Sequence, residues 1–334
     1  MKLFFSIGVT TYNRREMLKE CLSSILQQTF TNYEIIVGND YPQENLSAEL
    51  LGIDDPRIRF INHTQNLGEI RNMNSLLAMS RGRYFTWLAD DDMYAPDILQ
   101  TVHTALVRFN FPPCVFTSYV MGTTYSDDKE NSLVGEEHLI AGRQFLQQYL
   151  ARSLKAIGCY GVFDVQYLRR IGGIKPLGNG FSPYSDVLLA IQSGLLERVV
   201  YIDAPLIFFR THESSISYKS PDFDAYYSAH EDLCRKCINI FSSEGLRDDF
   251  HSNLFLLLRW CIRDFTAVVR RSGSINGRQA ITYLLFVRRY VSLLRGSTLY
   301  WRASRLVLST AFRLFRDTAK AKLSRRLMWS EREP

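Results

Sequence analysis

Three consecutive carboxylates, Asp90, Asp91 and Asp92, end an otherwise apolar run over residues 83–88. That run reads as a buried strand, which puts the acids at its C-terminal end, with Pro96 opening a helix just beyond. Adjacent acids repel one another unless a cation lies among them. Hard divalent ions such as magnesium or manganese take carboxylate oxygens and share their remaining positions with phosphates. The chemistry on offer is a metal and diphosphate site; the bland alternative is a solvated acidic turn.

Several elements must present those acids. Residues 3–9 read as a buried strand, and 14–28 as a helix with Leu18, Cys21, Leu22, Ile25 and Leu26 on one face. A second strand over 33–37 runs into Gly38, Asn39 and Asp40. A third, over 57–62, leads through a loop holding Asn66 and Gly68 to a helix from about Glu69 to Ser80. Strand and helix thus alternate four times within about ninety residues. That rhythm implies parallel strands with helices on both faces, a doubly wound α/β sheet. Such sheets open all their strand ends on one crevice, so Thr11, Tyr12, Asn13, Asp40 and the acidic run converge there. Taken singly, Asp40 reads as a turn residue and Tyr12 as a packed loop aromatic. The chain has neither GxGxxG nor GxxxxGK[ST], which argues against a dinucleotide oxidoreductase or a P-loop enzyme.

The series Val9-Thr-Thr-Tyr-Asn-Arg14, Ser24-Ile-Leu-Gln-Gln-Thr29, Tyr33-Glu-Ile-Ile-Val-Gly-Asn-Asp40, Asn66-Leu-Gly-Glu-Ile-Arg-Asn72 and the block from Leu88 to Pro96 resembles the nucleotide-sugar half of family 2 glycosyltransferases. These have the GT-A fold, and the resemblance covers roughly the first hundred residues. It implies that Thr11, Tyr12 and Asp40 hold the nucleobase, Asp40 accepting from a ring N–H, with Asn13 beside them on the nucleotide sugar. Arg71 would lie along the nucleotide, and the aspartates would hold ribose and metal. Many relatives read Leu-Asp-x-Asp-Asp where this chain has Leu88-Ala-Asp-Asp-Asp92, so Ala89 replaces the first aspartate. Counting back from Pro96 makes Asp92 the metal ligand and Asp91 the ribose or metal-water contact. Asp90 is then the least committed of the three.

The resemblance divides residues 1–220 into a nucleotide-sugar half (1–110) and an acceptor half (111–220), followed by a helical extension over 221–334. In the acceptor half, 114–120 reads as a strand, 123–135 as a polar loop and 141–153 as a helix. Gly158-Cys-Tyr-Gly161 and Ile171-Gly-Gly173 resemble the segment that shapes the acceptor pocket. The helix beginning near Tyr184 carries Asp186 in its first turn, where relatives have Glu-Asp; Ser185 replaces the glutamate. An inverting transfer needs a carboxylate to take the acceptor's proton, and Asp186 fits that role. Its structural reading is a helix N-terminal acid, favoured by the dipole. Two short strand-like runs around Pro205 lead to Arg210-Thr-His-Glu-Ser-Ser215, which resembles the family's Arg-x-His-x-x-Ser segment. His212 would be a further metal ligand or a donor to the diphosphate, and Arg210 a partner for phosphate or for an active-site acid.

The leading expectation is therefore an inverting glycosyltransferase dependent on manganese or magnesium. It would take a UDP-linked hexose or N-acetylhexosamine and extend a lipid-linked oligosaccharide in O-antigen or capsule synthesis. One rival is a sugar nucleotidyltransferase, which would show a glycine-rich loop with a following Arg or Lys near the N-terminus. Another is an inactive scaffold of the same fold, which the presence of Asp92 and Asp186 disfavours.

The bulk numbers add a partner. No uncharged apolar run approaches the roughly 18 residues of a membrane span, and the apolar start at 3–9 reads as a core strand rather than a signal peptide. The six cysteines have no disulfide-like spacing, which suits a reducing cytoplasm, and Cys234-x-x-Cys237 lacks the second pair a zinc site needs. Charge is lopsided, with 17 Lys/Arg against 4 Asp/Glu over 251–334 in a protein of net charge +6. Over 299–320, Arg302, Arg305, Arg313, Arg316 and Lys320 fall on one helix face, and Ala303, Val307, Ala311, Leu314 and Phe315 on the other. Such a helix suits an anionic membrane surface, which would place the protein on the inner face of the cell membrane. The alternative is a helix that packs its apolar face and leaves its arginines in water. No nucleic-acid recognition motif accompanies the charge.

Overall fold

The computed structural model describes residues 3–124, 135–178, 183–212, 223–272 and 276–330. The chain groups into two units, residues 1–176 with 185–212, and residues 177–184 with 213–334. The division expected at 220 falls outside the described residues, and residues 177–178 and 183–184, read from sequence as acceptor half, group with the C-terminal helices.

The first unit is a nine-stranded sheet in the order β3-β2-β1-β4-β8-β6-β9-β5, with β7 also paired to β9. The strands are β1 (Phe5–Thr11), β2 (Tyr33–Asn39), β3 (Ile58–Asn62), β4 (Tyr84–Ala89), β5 (Met93–Tyr94), β6 (Cys114–Gly122), β7 (Glu137–Ile140), β8 (Val162–Asp164) and β9 (Val199–Arg210). The long pairings β1–β2, β1–β4, β2–β3 and β6–β9 are parallel, and the antiparallel ones are short. The helices α1 (Arg15–Leu26), α2 (Ala48–Leu51), α3 (Glu69–Met79), α4 (Ile98–Arg108), α5 (Gly142–Ala151), α6 (Val165–Ile171) and α7 (Ser185–Gln192) connect them. The doubly wound expectation holds. Phe5, Ile7, Val9, Ile35, Val37 and Leu88 pack with Leu18, Cys21, Leu22 and Ile25 of α1 in one buried core, as the helical spacing predicts. On the other face, a Cβ at Gly38 would run into the Asn72 side chain, so glycine there lets α3 lie close against β2.

The differences are short elements. The helix after the acidic run starts at Ile98, two residues beyond Pro96, because 93–94 pair with β9 first. The runs around Pro205 form one strand that shifts register opposite Thr117 and Ser118. Strands β5, β7 and β8 carry only two to four residues each, too few to show a period in sequence.

The second unit contains α8 (Phe223–Phe241), α9 (Phe250–Ser272), α10 (Gly277–Val291) and α11 (Leu299–Ser330). Leu254, Leu257, Leu258, Cys261, Ile262, Phe265 and Val268, which recur at helical spacing in the sequence, are buried and form the core of this unit. Phe265 stacks on Tyr283 of α10, and Tyr283 donates to the Cys261 carbonyl at 3.0 Å. Cys234 and Cys237 are buried thiols, with Cys234 Sγ 3.9 Å from Cys261 Sγ. Among the described residues no helix is long and apolar enough to cross a membrane.

Candidate active site

Strand pairing brings the acids and the histidine together. The two residues after the acidic run, Met93 and Tyr94, pair antiparallel with Phe208 and Ile207. The chain leaving β9 therefore runs back alongside the acids: the Arg210 N–H donates to Asp92 Oδ1 at 2.8 Å, and His212 Nε2 lies 2.9 Å from Asp91 Oδ2. From the other side, α1 fixes the segment beyond the run. The Gln28 side chain donates to the Ala95 carbonyl at 2.6 Å and accepts from the Leu99 N–H at 3.1 Å, while Ser24 Oγ accepts from the Tyr94 N–H. The Ser24–Thr29 block of the sequence series is thus a brace for the acidic turn.

The three carboxylates have different surroundings. Asp90 is fully buried, accepts from Thr11 Oγ1 at 2.5 Å and pairs with Arg14 Nη2 at 2.9 Å. Asp91 retains some exposure and meets both Arg14 Nη1, at 2.7 Å, and His212. Asp92 is buried, and both its oxygens are engaged, by the Arg210 amide and by the Tyr160 hydroxyl. Burial pushes the Asp90 carboxyl up to about 6 against the pull of Arg14, and pushes Asp92 up to about 7, with the Asp91 charge adding to the rise.

Asp91 and Asp92 thus differ in what surrounds them. Asp91, with His212 facing it, is the carboxylate open to a ligand, whereas Asp92 is closed off as a buried tie between the acidic turn, Tyr160 and the end of β9. Asp90 is no spare acid either, since it joins Thr11 and Arg14. Among the described residues no group of three or more His, Cys, Asp or Glu side chains is arranged to hold a metal. Asp91 and His212 fit as two ligands of an ion that takes its remaining donors from phosphate oxygens and water. Arg210 does not reach an acid of the crevice with its side chain. Its guanidinium pairs with Glu20 at 2.5 Å.

The nucleotide side is only partly as expected. Thr11 is buried against Asp90. The Asp40 carboxylate accepts the N–H groups of Leu67 and Gly68 at 2.7 and 2.9 Å, and so ties the end of β2 to the loop entering α3. Tyr12 is 46% exposed and stands edge-on to Tyr41, with ring centroids 5.3 Å apart. Asn13 is exposed with φ 53°, in the left-handed region that asparagine tolerates, and turns the chain into α1. Arg71 is exposed on the first turn of α3.

On the acceptor side Asp186 lies in the first turn of α7 and is half-buried. Its charge is felt by Glu69 at the start of α3. Glu69 is raised above the ordinary carboxylate range first by the protein around it, then by Asp186 and Asp91, with Arg14 opposing. Glu69 itself is exposed at the start of α3. A Cβ at Gly158 would strike the Asp186 carbonyl oxygen, so this glycine sets how closely the turn at 158–160 approaches α7. Ser215 lies outside the described residues.

Arg14, Glu69 and Tyr160 lie inside the motifs that carry the resemblance, but what surrounds them comes from far along the chain. Their partners are 77, 117 and 68 positions away: Asp91 for Arg14, Asp186 for Glu69 and Asp92 for Tyr160. The available signal was the need for a cation beside three acids, and Arg14 ends the first strand's motif on the same crevice.

The fold has the GT-A architecture, with an acidic run at the C-terminal end of a strand in a doubly wound sheet. Residues 6–165 match the model of glycosyl transferase family 2. Among curated relatives, it is 31% identical over 96 residues to a putative colanic acid biosynthesis glycosyl transferase, WcaA, of Escherichia coli (strain K12), covering 28% of this chain and 34% of that one. It is 26% identical over 157 residues to WfgD of Escherichia coli, a UDP-Glc:alpha-D-GlcNAc-diphosphoundecaprenol beta-1,3-glucosyltransferase, covering 47% of this chain and 58% of that one. The matches therefore span about a third to just over half of these relatives. The S. aureus TarS 1–349 structure in complex with UDP superposes over 97% of this chain and 92% of its own, with a TM-score of 0.65 at 13% identity, a likeness of fold.

Proposed function

We propose that this protein is an inverting glycosyltransferase that moves a sugar from a UDP-linked donor to a hydroxyl of a lipid-linked oligosaccharide in surface polysaccharide assembly. The observation that carries the reading is the pairing of His212 with Asp91 at the C-terminal end of β4, and we assign these two to the donor side and Asp186, in the first turn of α7, to the acceptor side. WfgD's name, which gives a UDP-linked donor and a diphosphoundecaprenol acceptor, supports the choice of substrates. So does the UDP-GlcNAc complex of the TarS fold neighbour.

Tyr12 and Asp40 border the position of the nucleobase, and Arg71 lies along the nucleotide. Asp91 and His212 would hold manganese or magnesium, which when bound supplies charge stabilisation for the departing diphosphate. Arg14, paired with both Asp90 and Asp91, opposes their mutual repulsion beside that anion. Asp186 takes the acceptor's hydroxyl proton as the oxygen attacks the anomeric carbon opposite the diphosphate. A carboxylate positioned that way contributes on the order of 10²- to 10⁴-fold to rate.

The test uses the full-length protein with UDP-glucose or UDP-GlcNAc, manganese and a short-chain lipid diphosphate sugar, with product stereochemistry read by NMR. Asp186→Asn is expected to lower kcat by about 10³-fold with UDP affinity unchanged. Full activity in that variant would remove Asp186 as the base, and retention of anomeric configuration would overturn the inverting assignment.

A further inference from the structure

The sequence pairs an arginine face on the last helix with an apolar face opposite, and it is the apolar face that a membrane would be expected to take. The structure uses that face otherwise. Ala303, Thr310 and Leu314 are buried and Val307 and Ala311 half-buried, so this stripe is spent on packing within the helical unit. A second apolar set, unrecognised in the sequence, points outward: Trp301 is 72% exposed, Leu308 70% and Phe312 71%. Spacings of seven and four residues put the three on one line along α11. Arg305 and Arg316 fall beside that line, and Arg302 and Arg313 slightly further round the same side, all exposed. From 299 to 316 the helix carries no acid.

We propose that this face of α11 is a docking surface for an anionic lipid bilayer, with Trp301, Leu308 and Phe312 entering the interfacial layer and the arginines lying among the headgroups. Single exposed apolar residues are ordinary on a protein surface. Three large ones in line, flanked on one side by cations, are the arrangement of an interfacial helix. Tryptophan and phenylalanine suit the boundary, where an aromatic body enters the acyl region at a wet edge. Charge complementarity selects the occupant. An acid-free stretch with four arginines matches the negative surface potential of a bilayer containing anionic lipid, and a second copy of the same cationic face would be repelled. Arg302 also stacks over Phe255, 5.3 Å from the ring centroid, which steadies the N-terminal end of the face on α9.

The experiment is sedimentation of the full-length protein with phosphatidylcholine vesicles containing a third phosphatidylglycerol, against pure phosphatidylcholine, with no donor or acceptor present. Its outcome is independent of the transfer reaction. Binding to the anionic vesicles is expected, weakened by raised salt. The variant Trp301→Ser/Leu308→Ser/Phe312→Ser, all exposed positions, is expected to lose at least tenfold in binding with its melting temperature unchanged. Arg305→Gln/Arg313→Gln/Arg316→Gln is expected to lose about fivefold per arginine and most of the preference for anionic lipid. Ile281→Ser, at an exposed apolar position on α10, serves as the control that leaves binding unchanged. Wild-type binding by the triple-serine variant would overturn the proposal. So would concentration-dependent dimerisation that this variant abolishes, since the face would then be a contact between copies.

Discussion

Charged side chains are treated in opposite ways at the sheet edge and on the last helix. In the crevice, Asp90 and Asp92 are buried and every acid of the run has a partner brought from another strand: Thr11 and Arg14 from the end of β1, Tyr160 from before β8, Arg210 and His212 from the end of β9. On α11, Arg302, Arg305, Arg313 and Arg316 are exposed, and Arg302 lies over the Phe255 ring. A buried ion left alone costs several kcal/mol, so the crevice needs its partners, whereas an exposed one needs none. The chemistry is concentrated in the region where charges constrain one another, and the proposed docking face in the region where they do not.

The contrast within the acidic run is the most sensitive place to test this. Asp91→Asn should leave the fold intact and reduce transfer by about 10³-fold, because the group open to the diphosphate side is lost. Asp92→Asn should lose less activity and more stability, seen as a lower melting temperature, because its carboxyl is a structural tie. Equal kinetic losses with equal melting temperatures would erase the distinction.

A buried titratable group in the helical unit provides the next test. His230 is fully buried, stacked on Tyr184 with centroids 4.4 Å apart, and its Nε2 lies 3.7 Å from Asp264 Oδ2. Burial lowers its pKa to about 3 from an ordinary 6.5. The neutral ring is the folded form, so this stabilisation is present above pH 6.5 and is lost as pH falls toward 3, by roughly 5 kcal/mol in all. Urea melts should show that loss, and His230→Phe should flatten it. An unchanged acid slope would mean that another group sets the acid limit.

Smaller effects separate buried from surface pairs. Arg14→Met leaves Asp90 and Asp91 without their cation and should cost about 2 kcal/mol in a denaturant melt. Glu20→Gln breaks the pair with Arg210 at a half-exposed acid and should cost less than about 1 kcal/mol. If the two losses were similar, burial would not be what makes the crevice pairs matter.

How much could be read in advance follows the same division. The alternation of strands and helices, the core face of α1, the α9 stripe and the arginine face of α11 are local periodicities, and each appears in the structure where the sequence puts it. The meeting of Thr11, Asp40 and the acidic run at one edge also follows, because parallel strands share a direction. Which acid faces outward does not follow, since Asp91 and Asp92 are the same residue type one position apart.

By itself, then, the sequence determined the class of fold, the end of the sheet where the candidate site lies and the family it resembles, because those depend on period and on motifs within a few residues. Only the tertiary structure decided that Asp91 and not Asp92 faces His212, that Arg14 neutralises the run, that 177–178 and 183–184 group with the helices, and that the apolar face of α11 is already packed while Trp301, Leu308 and Phe312 remain outside. The physical reason is chain separation. A pairing of two residues in β5 with two in β9, more than a hundred positions away, sets the neighbours of each carboxylate, and no local pattern encodes it.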